Sequence, residues 1–396
     1  MRSKVGLTGS IVQRVVPRAL AGLLVIVLLP SAPLAKGQLP VPSAHPYRVY
    51  LPMVSRPFRV FVPLFLSSTS TSSSALRPQP PTQGSPPPMP TGVAPLRLPS
   101  PTGFVTRRGE NLQLDGQPYT FVGTNVSYLA GPYFPEDKME EVVSFLAGTG
   151  VEVIRVWVQP GCDLDRVERM LDLGGKYDVR FILTLQDFFG EKDGYWFKAK
   201  YVTKDLPHIS NIVPRFANRP EVLMWELMNE PTCPPKDSNR SCWDALYHWA
   251  QVTSQAVKQL DPNHLVSLGT YRAGFEDLAI DTFRRAHALD TVDIVSVHCT
   301  AGKVSKGERQ RERDIAHKLA KPIYFGEVYM LAYDKNCQLL SGGVLDRRAK
   351  AIAIDIRDSW KAGIDGYLLW QYIHDGCGVT DYLRADPVWA VIKAIR

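Results

Sequence analysis

From Tyr119 to the C-terminus, short apolar segments alternate with segments of helical periodicity, and this alternation constrains the fold more than any other feature. The apolar segments are rich in Val, Ile, Leu and aromatic residues, as expected for strands buried on both faces. Eight strands are predicted, at residues 119–125, 152–158, 179–185, 222–229, 264–270, 292–298, 322–328 and 366–371. Each precedes a predicted helix, at residues 137–149, 163–177, 205–218, 243–260, 275–288, 304–320, 344–362 and 386–395. Eight strand–helix repeats predict an α/β domain with the (β/α)8 TIM-barrel fold over residues 103–396.

The segment that leads into these repeats predicts a hairpin. Residues 104–125 contain turn signals at Gly109 and at Asp115-Gly116, between short alternating runs. An open, doubly wound sheet is the alternative to a barrel. It is disfavoured because no Gly-x-Gly-x-x-Gly follows the first predicted strand.

The first 102 residues have a different composition from this domain. Residues 1–35 place four basic residues before an apolar run at 19–29, which predicts a signal peptide, with an uncleaved membrane anchor as the alternative. Sixteen of the 32 prolines lie in residues 40–101. Residues 36–102 are therefore predicted to be a Pro/Ser/Thr-rich linker, largely disordered. We expect a secreted or extracellular protein, or one attached to the cell envelope through this segment.

The net charge of +7 belongs to the N-terminal region and not to the domain. Residues 1–110 contain twelve Lys and Arg and a single acidic residue, Glu110, whereas the rest of the chain contains 34 basic and 38 acidic residues. A nucleic-acid-binding domain needs a basic face of its own. We therefore expect no nucleic-acid partner. We also expect a monomer without an obligate protein partner.

The six cysteines suit an exported protein with disulfides. In the barrel they fall in or beside the loops that follow the strands. We predict two disulfides, Cys233–Cys242 within one loop and Cys337–Cys377 between neighbouring loops, and leave Cys162 and Cys299 unpaired. No Cys-x-x-Cys occurs, so neither a zinc knuckle nor a redox motif is expected.

Two glutamates follow the predicted barrel strands at matching places. The fourth strand runs into "LMWELMNEP", with Glu230 at its end, and the seventh ends "KPIYFGEVYM", with Glu327. Catalytic groups of such barrels lie at the carboxyl ends of the strands. Hydrolysis of an acetal needs one carboxylic acid to protonate the leaving oxygen and one carboxylate to attack or to activate water. Glu230 and Glu327 are the candidates for these two roles.

These two motifs together resemble glycoside hydrolase family 5, the retaining (β/α)8 glycosidases of the cellulase and mannanase superfamily. The resemblance covers residues 103–396. It implies that Glu230 of the Asn-Glu-Pro triplet is the acid/base and that Glu327 is the nucleophile. It also implies that Asn229 binds the sugar 2-hydroxyl and that Arg155, on the second strand, keeps Glu327 ionised. The alternative for Arg155 is a core ion pair with Glu226.

Other positions match the family less closely. His298 ends the sixth strand, but Thr300 stands where the family often has a tyrosine that touches the nucleophile, and Tyr329 is a candidate substitute. Trp370 matches the sugar-stacking tryptophan of the eighth strand. The loop after the third strand contains Trp196, which either forms a further sugar subsite or packs beneath neighbouring loops.

The mannanase-like branch is the nearest match within the family. "WELMNEPTC", "GTNVSYL" with Asn125, "LDPNHLVSLG" and "HDGCGV" carry this resemblance. It implies an endo-β-1,4-mannanase that acts on plant polysaccharide such as mannan, glucomannan or β-glucan, without a cofactor or metal. The alternatives are an endo-β-1,4-glucanase and a non-catalytic carbohydrate-binding barrel. The metal-dependent alternative is disfavoured because the first strand contains no histidine ligands.

Overall fold

The structure is a computed structural model that describes residues 103–187, 194–235, 238–300, 306–373 and 380–395. The predicted signal peptide and linker, residues 1–102, lie outside the described residues. Within the described part, no helix is both long enough and apolar enough to cross a membrane.

Eight parallel strands form one sheet that closes on itself. In chain order they are β4 (Phe121–Asn125), β5 (Val153–Trp157), β6 (Arg180–Thr184), β7 (Val222–Glu226), β8 (Leu265–Ser267), β9 (Val295–Thr300), β10 (Ile323–Tyr329) and β11 (Gly366–Leu369). Their order in the sheet is β8-β7-β6-β5-β4-β11-β10-β9, and a parallel bridge from Ser267 to Ile294 joins the two ends. The predicted (β/α)8 barrel is confirmed, and closure excludes the open sheet.

Eight helices surround the sheet, each following the strand that the sequence predicts. They are α1 (Glu136–Gly148), α2 (Leu164–Tyr177), α3 (Tyr201–Phe216), α4 (Arg240–Leu260), α5 (Asp277–His287), α6 (Lys306–Lys318), α7 (Val344–Lys361) and α8 (Val388–Ile395), with a π-helical turn at Trp196–Lys200 before α3. The start of a helix is determined by its own sequence where an N-cap side chain binds the first backbone N–H groups. Asp163 accepts hydrogen bonds from the backbone N–H of Asp165 and Arg166 at the start of α2.

A small antiparallel sheet closes the amino end of the barrel. It consists of β1 (Val105–Arg108), β2 (Asn111–Leu114) and β3 (Gln117–Tyr119), and it is the predicted hairpin extended by one strand. Val105 and Leu112 are buried and join the cluster that fills the barrel interior. At Gly366 a Cβ atom would lie 2.1 Å from the Phe121 ring, so only glycine lets this ring fill the floor.

Candidate active site

The two glutamates lie at the opposite, carboxyl end of the barrel. Glu327 is in β10 and is 6% exposed, whereas Glu230 lies four residues beyond the end of β7 and its side chain is 29% exposed. One oxygen of each carboxylate and a nitrogen of His298 all lie within 4.8 Å of one another. Two acidic groups that are 97 positions apart in the chain therefore face the same gap.

The backbone at Glu230 is held in an uncommon conformation. Its φ of +51° is in the left-handed region, which costs free energy for a residue with a side chain. The Glu230 N–H donates to the Gly269 carbonyl at 2.8 Å. Gly269 itself has φ +78°, and a Cβ there would lie 2.0 Å from the Met228 carbonyl oxygen. Close packing of these two loop segments thus fixes the direction of the Glu230 side chain.

His298 lies between the two carboxylates. Its Nδ1 is 2.9 Å from Glu230 Oε1 and 3.5 Å from Glu327 Oε1. The ring packs over the backbone of Gly326, where a Cβ would come within 2.9 Å of His298 Nε2. The His298 N–H donates to the Tyr271 carbonyl at 2.7 Å. A proton on Nδ1 of His298 can therefore be donated to either carboxylate from a fixed position.

Arg155, on β5, is the centre of the charged network. It is fully buried and donates from Nη1 to Glu327 Oε1 at 2.7 Å and from Nη2 to Glu226 Oε1 at 2.6 Å. Its Nε also donates to Glu226 Oε1, at 2.9 Å. Both predicted interpretations of Arg155 therefore hold, since it contacts the candidate nucleophile and forms a core ion pair with Glu226.

Two asparagines complete the ring of acceptors around this guanidinium. Asn229 Oδ1 accepts from Arg155 Nη2 at 2.8 Å, and its Nδ2 donates to Asp187 at 3.3 Å. Asn125 Oδ1 accepts from Nη1 at 2.9 Å. Its Nδ2 donates to the carbonyls of Gly326 and Leu369. Asn125 is fully buried, so the structure places it below the cleft, where it holds Arg155.

The ionisation of Glu327 reflects these neighbours. Burial raises the pKa of the Glu327 carboxyl to about 7, and the charge of Glu230 acts in the same direction. His298 and Arg155 act in the opposite direction. Arg155 thus favours the ionised form of Glu327, as the family resemblance implies, but burial outweighs it.

Two tryptophans lie at the rim above the network. Trp370, which follows β11, is half-buried, and its ring centroid is 5.7 Å from that of Trp157 at an angle of 63°. The Trp157 ring covers the Arg155 guanidinium at 4.3 Å. Trp157 is the residue that the sequence analysis missed. A signal was present, because Trp157 is two residues after Arg155 on the same strand and so points to the same side.

The remaining predicted aromatic residues are held by polar contacts. The Tyr329 hydroxyl lies 3.1 Å from that of Tyr271, which accepts from Arg272 at 2.7 Å. Trp196 is half-buried against the core, and its indole N–H donates to Asp205 at 3.3 Å. Asp205 also accepts from the indole of Trp249. These contacts place Trp196 in a packing position, which was the alternative interpretation.

The predicted disulfide between Cys233 and Cys242 is confirmed. It joins the loop after β7 to the first turn of α4, three residues beyond Glu230, with 6.0 Å between the Cα atoms. Cys233 also lines a cavity of ≈ 350 Å³ between α4 and α5. Cys337 is disulfide-bonded, and its predicted partner Cys377 lies outside the described residues. Cys162 and Cys299 are free, as predicted.

The fold and the site together define a class. A closed (β/α)8 barrel with paired carboxylates at its carboxyl rim has the arrangement of a barrel glycosidase. The sequence comparison narrows the class, because residues 176–332 match the model of the glycoside hydrolase family 5 β-mannosidase-like domain. The matched part of the chain contains both Glu230 and Glu327, and the resemblance stated from the motifs is confirmed over these residues.

Named relatives point the same way. The chain is 26% identical to the "Probable mannan endo-1,4-beta-mannosidase A" of Aspergillus oryzae and covers 57% of that protein with 46% of its own length. It is 27% identical to "Mannan endo-1,4-beta-mannosidase A" of Aspergillus aculeatus, covering 56% of that protein with 44% of its own length. The chain thus spans little more than half of these relatives. The solved endo-1,4-β-mannanase of Rhizomucor miehei has a TM-score of 0.60 at 20% identity, over 73% of this chain and 97% of that one.

Proposed function

We propose that this protein is a retaining glycoside hydrolase that cleaves β-1,4-linked mannan, acting as an endo-β-1,4-mannanase. The observation that carries the proposal is the approach of Glu230 and Glu327, whose nearer oxygens lie within 4.8 Å across one gap. A separation of about 5–5.5 Å between carboxyl groups is typical of retaining enzymes, whereas inverting enzymes need about 6.5–9.5 Å to admit a water molecule.

In the first step, Glu327 attacks the anomeric carbon of the sugar. Its Oε1 is engaged by Arg155 and lies near His298, while Oε2 accepts no hydrogen bond from the described part of the chain. We therefore assign the attack to Oε2. Glu230 donates its proton to the glycosidic oxygen as the bond to the anomeric carbon breaks, and a glycosyl ester forms on Glu327.

The second step regenerates the enzyme. Glu230, now ionised, takes a proton from a water molecule, whose oxygen attacks the same anomeric carbon from the face that the leaving group occupied. The ester bond to Glu327 breaks, its carboxylate is restored, and the product keeps the β configuration. Because Asn229 is fixed by Arg155 and Asp187, its side chain is a candidate to bind the sugar 2-hydroxyl during both steps.

The choice of mannan rests on the similarity to proteins named as mannanases. Mannose and glucose differ in the orientation of one hydroxyl group, which is worth at most a few kcal/mol of discrimination, so β-1,4-glucan is the second candidate substrate. The indole of Trp370 is the candidate stacking surface for a sugar ring, because sugars present C–H faces that pack on aromatic rings.

A reducing-sugar assay on galactomannan, glucomannan and carboxymethylcellulose tests the proposal. We expect release from both mannans and loss of release in Glu327→Ala, while a half-buried control on the helix α2, Glu168→Ala, retains activity. Activity on carboxymethylcellulose alone would contradict the assignment of mannan as the substrate. NMR of the first-formed anomer tests the mechanism, since an α product would exclude retention.

We also propose that the protein is exported, through the segment 1–35, and acts as a monomer on polysaccharide outside the cell. The disulfide Cys233–Cys242 supports an oxidising compartment. N-terminal sequencing of the protein from the medium and from the membrane fraction tests the export. We expect protein that lacks residues 1–35 in the medium, whereas membrane-bound protein that keeps them would favour the anchor.

A further inference from the structure

A third glutamate lies beneath the two that face the gap. Glu226 ends β7, four residues before Glu230, and is fully buried. Its Oε1 accepts from Nε and Nη2 of Arg155 and from the Thr184 hydroxyl at 3.0 Å. Its Oε2 accepts from the Tyr324 hydroxyl at 2.5 Å. No other buried carboxylate of the described residues has this many side-chain donors beside the gap.

The contacts of Glu226 determine where Arg155 points. A guanidinium carries five N–H groups in a rigid, planar fork. Glu226 takes two of them, and the remaining contacts reach Asn229, Asn125 and Glu327. Because the fork is planar, holding Nε and Nη2 on one side sets the direction of Nη1, which donates to Glu327. The orientation of the nucleophile therefore depends on a residue that does not face the sugar.

The charge of Glu226 matters as well as its hydrogen bonds. Three groups adjoin Glu327, namely Arg155 on β5, Glu230 after β7 and His298 on β9. Two more are linked to it through Arg155, namely Glu226 on β7 and Tyr324 on β10. Arg155 is the only arginine or lysine among them, and it is shared between two carboxylates. Loss of the negative charge at Glu226 would leave the field of Arg155 on Glu327 less compensated and would favour the ionised nucleophile.

We propose that Glu226 is a positioning residue for the reaction, which fixes Arg155 and thereby sets the direction and the protonation of Glu327. The inference rests on the proposed function, since it assigns the role of nucleophile to Glu327. Tyr324, which is buried and bonded to both Glu226 and Ser267, holds the far side of Glu226 in place.

The test is the pH profile of kcat/KM in Glu226→Gln. This variant keeps the size of the side chain and removes its charge. We expect the acidic limb to move down by about one pH unit, and kcat to fall by about 10- to 100-fold as Arg155 loses its fixed partner. KM should stay within threefold. If Glu226 had only a structural role, Glu226→Gln would lower the folded fraction and leave the acidic limb of kcat/KM in place. An acidic limb that does not shift in folded Glu226→Gln therefore overturns the proposal.

Two further variants separate charge from position. Glu226→Asp keeps the charge but shortens the side chain, so kcat should fall at least about tenfold with the limb unmoved. Tyr324→Phe keeps the charge and the length, so the limb should again stay in place. If Glu226→Gln does not fold, wild-type kcat in Glu226→Asp overturns the proposal.

A direct titration distinguishes this inference from the proposed function. The side-chain ¹³C signal of Glu327, assigned with Glu327→Gln, reports its ionisation whether or not the protein cleaves mannan. A downward shift of its midpoint in Glu226→Gln without hydrolysis by the wild type would retain the coupling and reject the mannanase. An unshifted midpoint in a hydrolysing protein would reject the coupling alone.

Discussion

The two ends of the barrel both bury charged side chains, but they satisfy them differently. At the amino end, where the helices lead into the strands, Lys321 and Asp365 are held by backbone groups, beside ion pairs such as that of Asp261 with His264. Lys321 donates to the carbonyls of His287, Leu289 and Val292 at 2.5–2.6 Å. Asp365 accepts from the N–H groups of two strands, β2 and β10. Each charge ties together separate segments of chain.

At the carboxyl end the charged groups contact one another. Arg155 donates to Glu226 and Glu327, and His298 lies between Glu327 and Glu230. A change of protonation at one member alters the free energy of the others, because buried charges are weakly screened. A charged side chain whose partners are backbone groups lacks this coupling, because backbone groups do not change protonation. The comparison suggests that the amino end contributes stability and the carboxyl end contributes chemistry.

The largest test of this division is Glu230→Gln. We expect kcat/KM on mannan to fall by about 10³-fold, since general acid catalysis contributes about 10²- to 10⁴-fold. The melting temperature should change by less than about 2 °C, because the residue is partly exposed and loses no core contact. An aryl glycoside with a good leaving group needs little protonation, so its cleavage to the glycosyl-enzyme should suffer far less. Equal losses on both substrates would contradict the acid role.

The matching test at the amino end is Asp365→Asn. The amide has one acceptor oxygen, so one of the backbone N–H groups of Leu112 and Ile323 would face an NH₂ group. We expect a loss of about 1–3 kcal/mol in the free energy of unfolding, measured by urea denaturation, with kcat and KM unchanged. Asp358→Asn, an exposed position on α7, serves as the control and should leave both quantities unchanged.

The same division explains how far the sequence could predict this molecule. Strands and helices follow from local periodicity, and all eight of each were placed within a few residues. The proximity of Glu230 and Glu327 could be predicted because the ends of β7 and β10 lie at the same rim. Whether Arg155 would reach Glu226 or Glu327 stayed open, since spacing along the chain does not give the reach of a guanidinium. The contacts of Asn125 and Trp196 depend on tertiary packing and had no local signal.

A test of intermediate size is the pH dependence of the wild type. Glu327 must be ionised to attack, and burial raises its pKa to about 7. We expect kcat/KM to fall about tenfold for each pH unit below this value.

Burial also raises the pKa of Asp365, to about 6. Its titration should lower the stability as the pH rises from about 4 to about 6, and Asp365→Asn should leave the acidic limb of kcat/KM unmoved. A shifted acidic limb in Asp365→Asn would show that the charged groups at the two ends of the barrel are electrostatically coupled.

The smallest expected effect lies at the boundary between the buried network and the open cleft. Trp157 covers Arg155 and also contacts Trp370 edge to face. If it serves as a wall for the sugar, Trp157→Ala should raise KM by up to about tenfold, since an aromatic contact contributes about 0.5–1.5 kcal/mol beyond its buried area. Trp157→Phe should restore much of the loss, with kcat and the acidic limb unmoved in both variants. A fall in kcat together with a shifted acidic limb of kcat/KM would instead assign Trp157 to the charged network. Without the indole, water would reach the Arg155 guanidinium and weaken its hydrogen bond to Glu327.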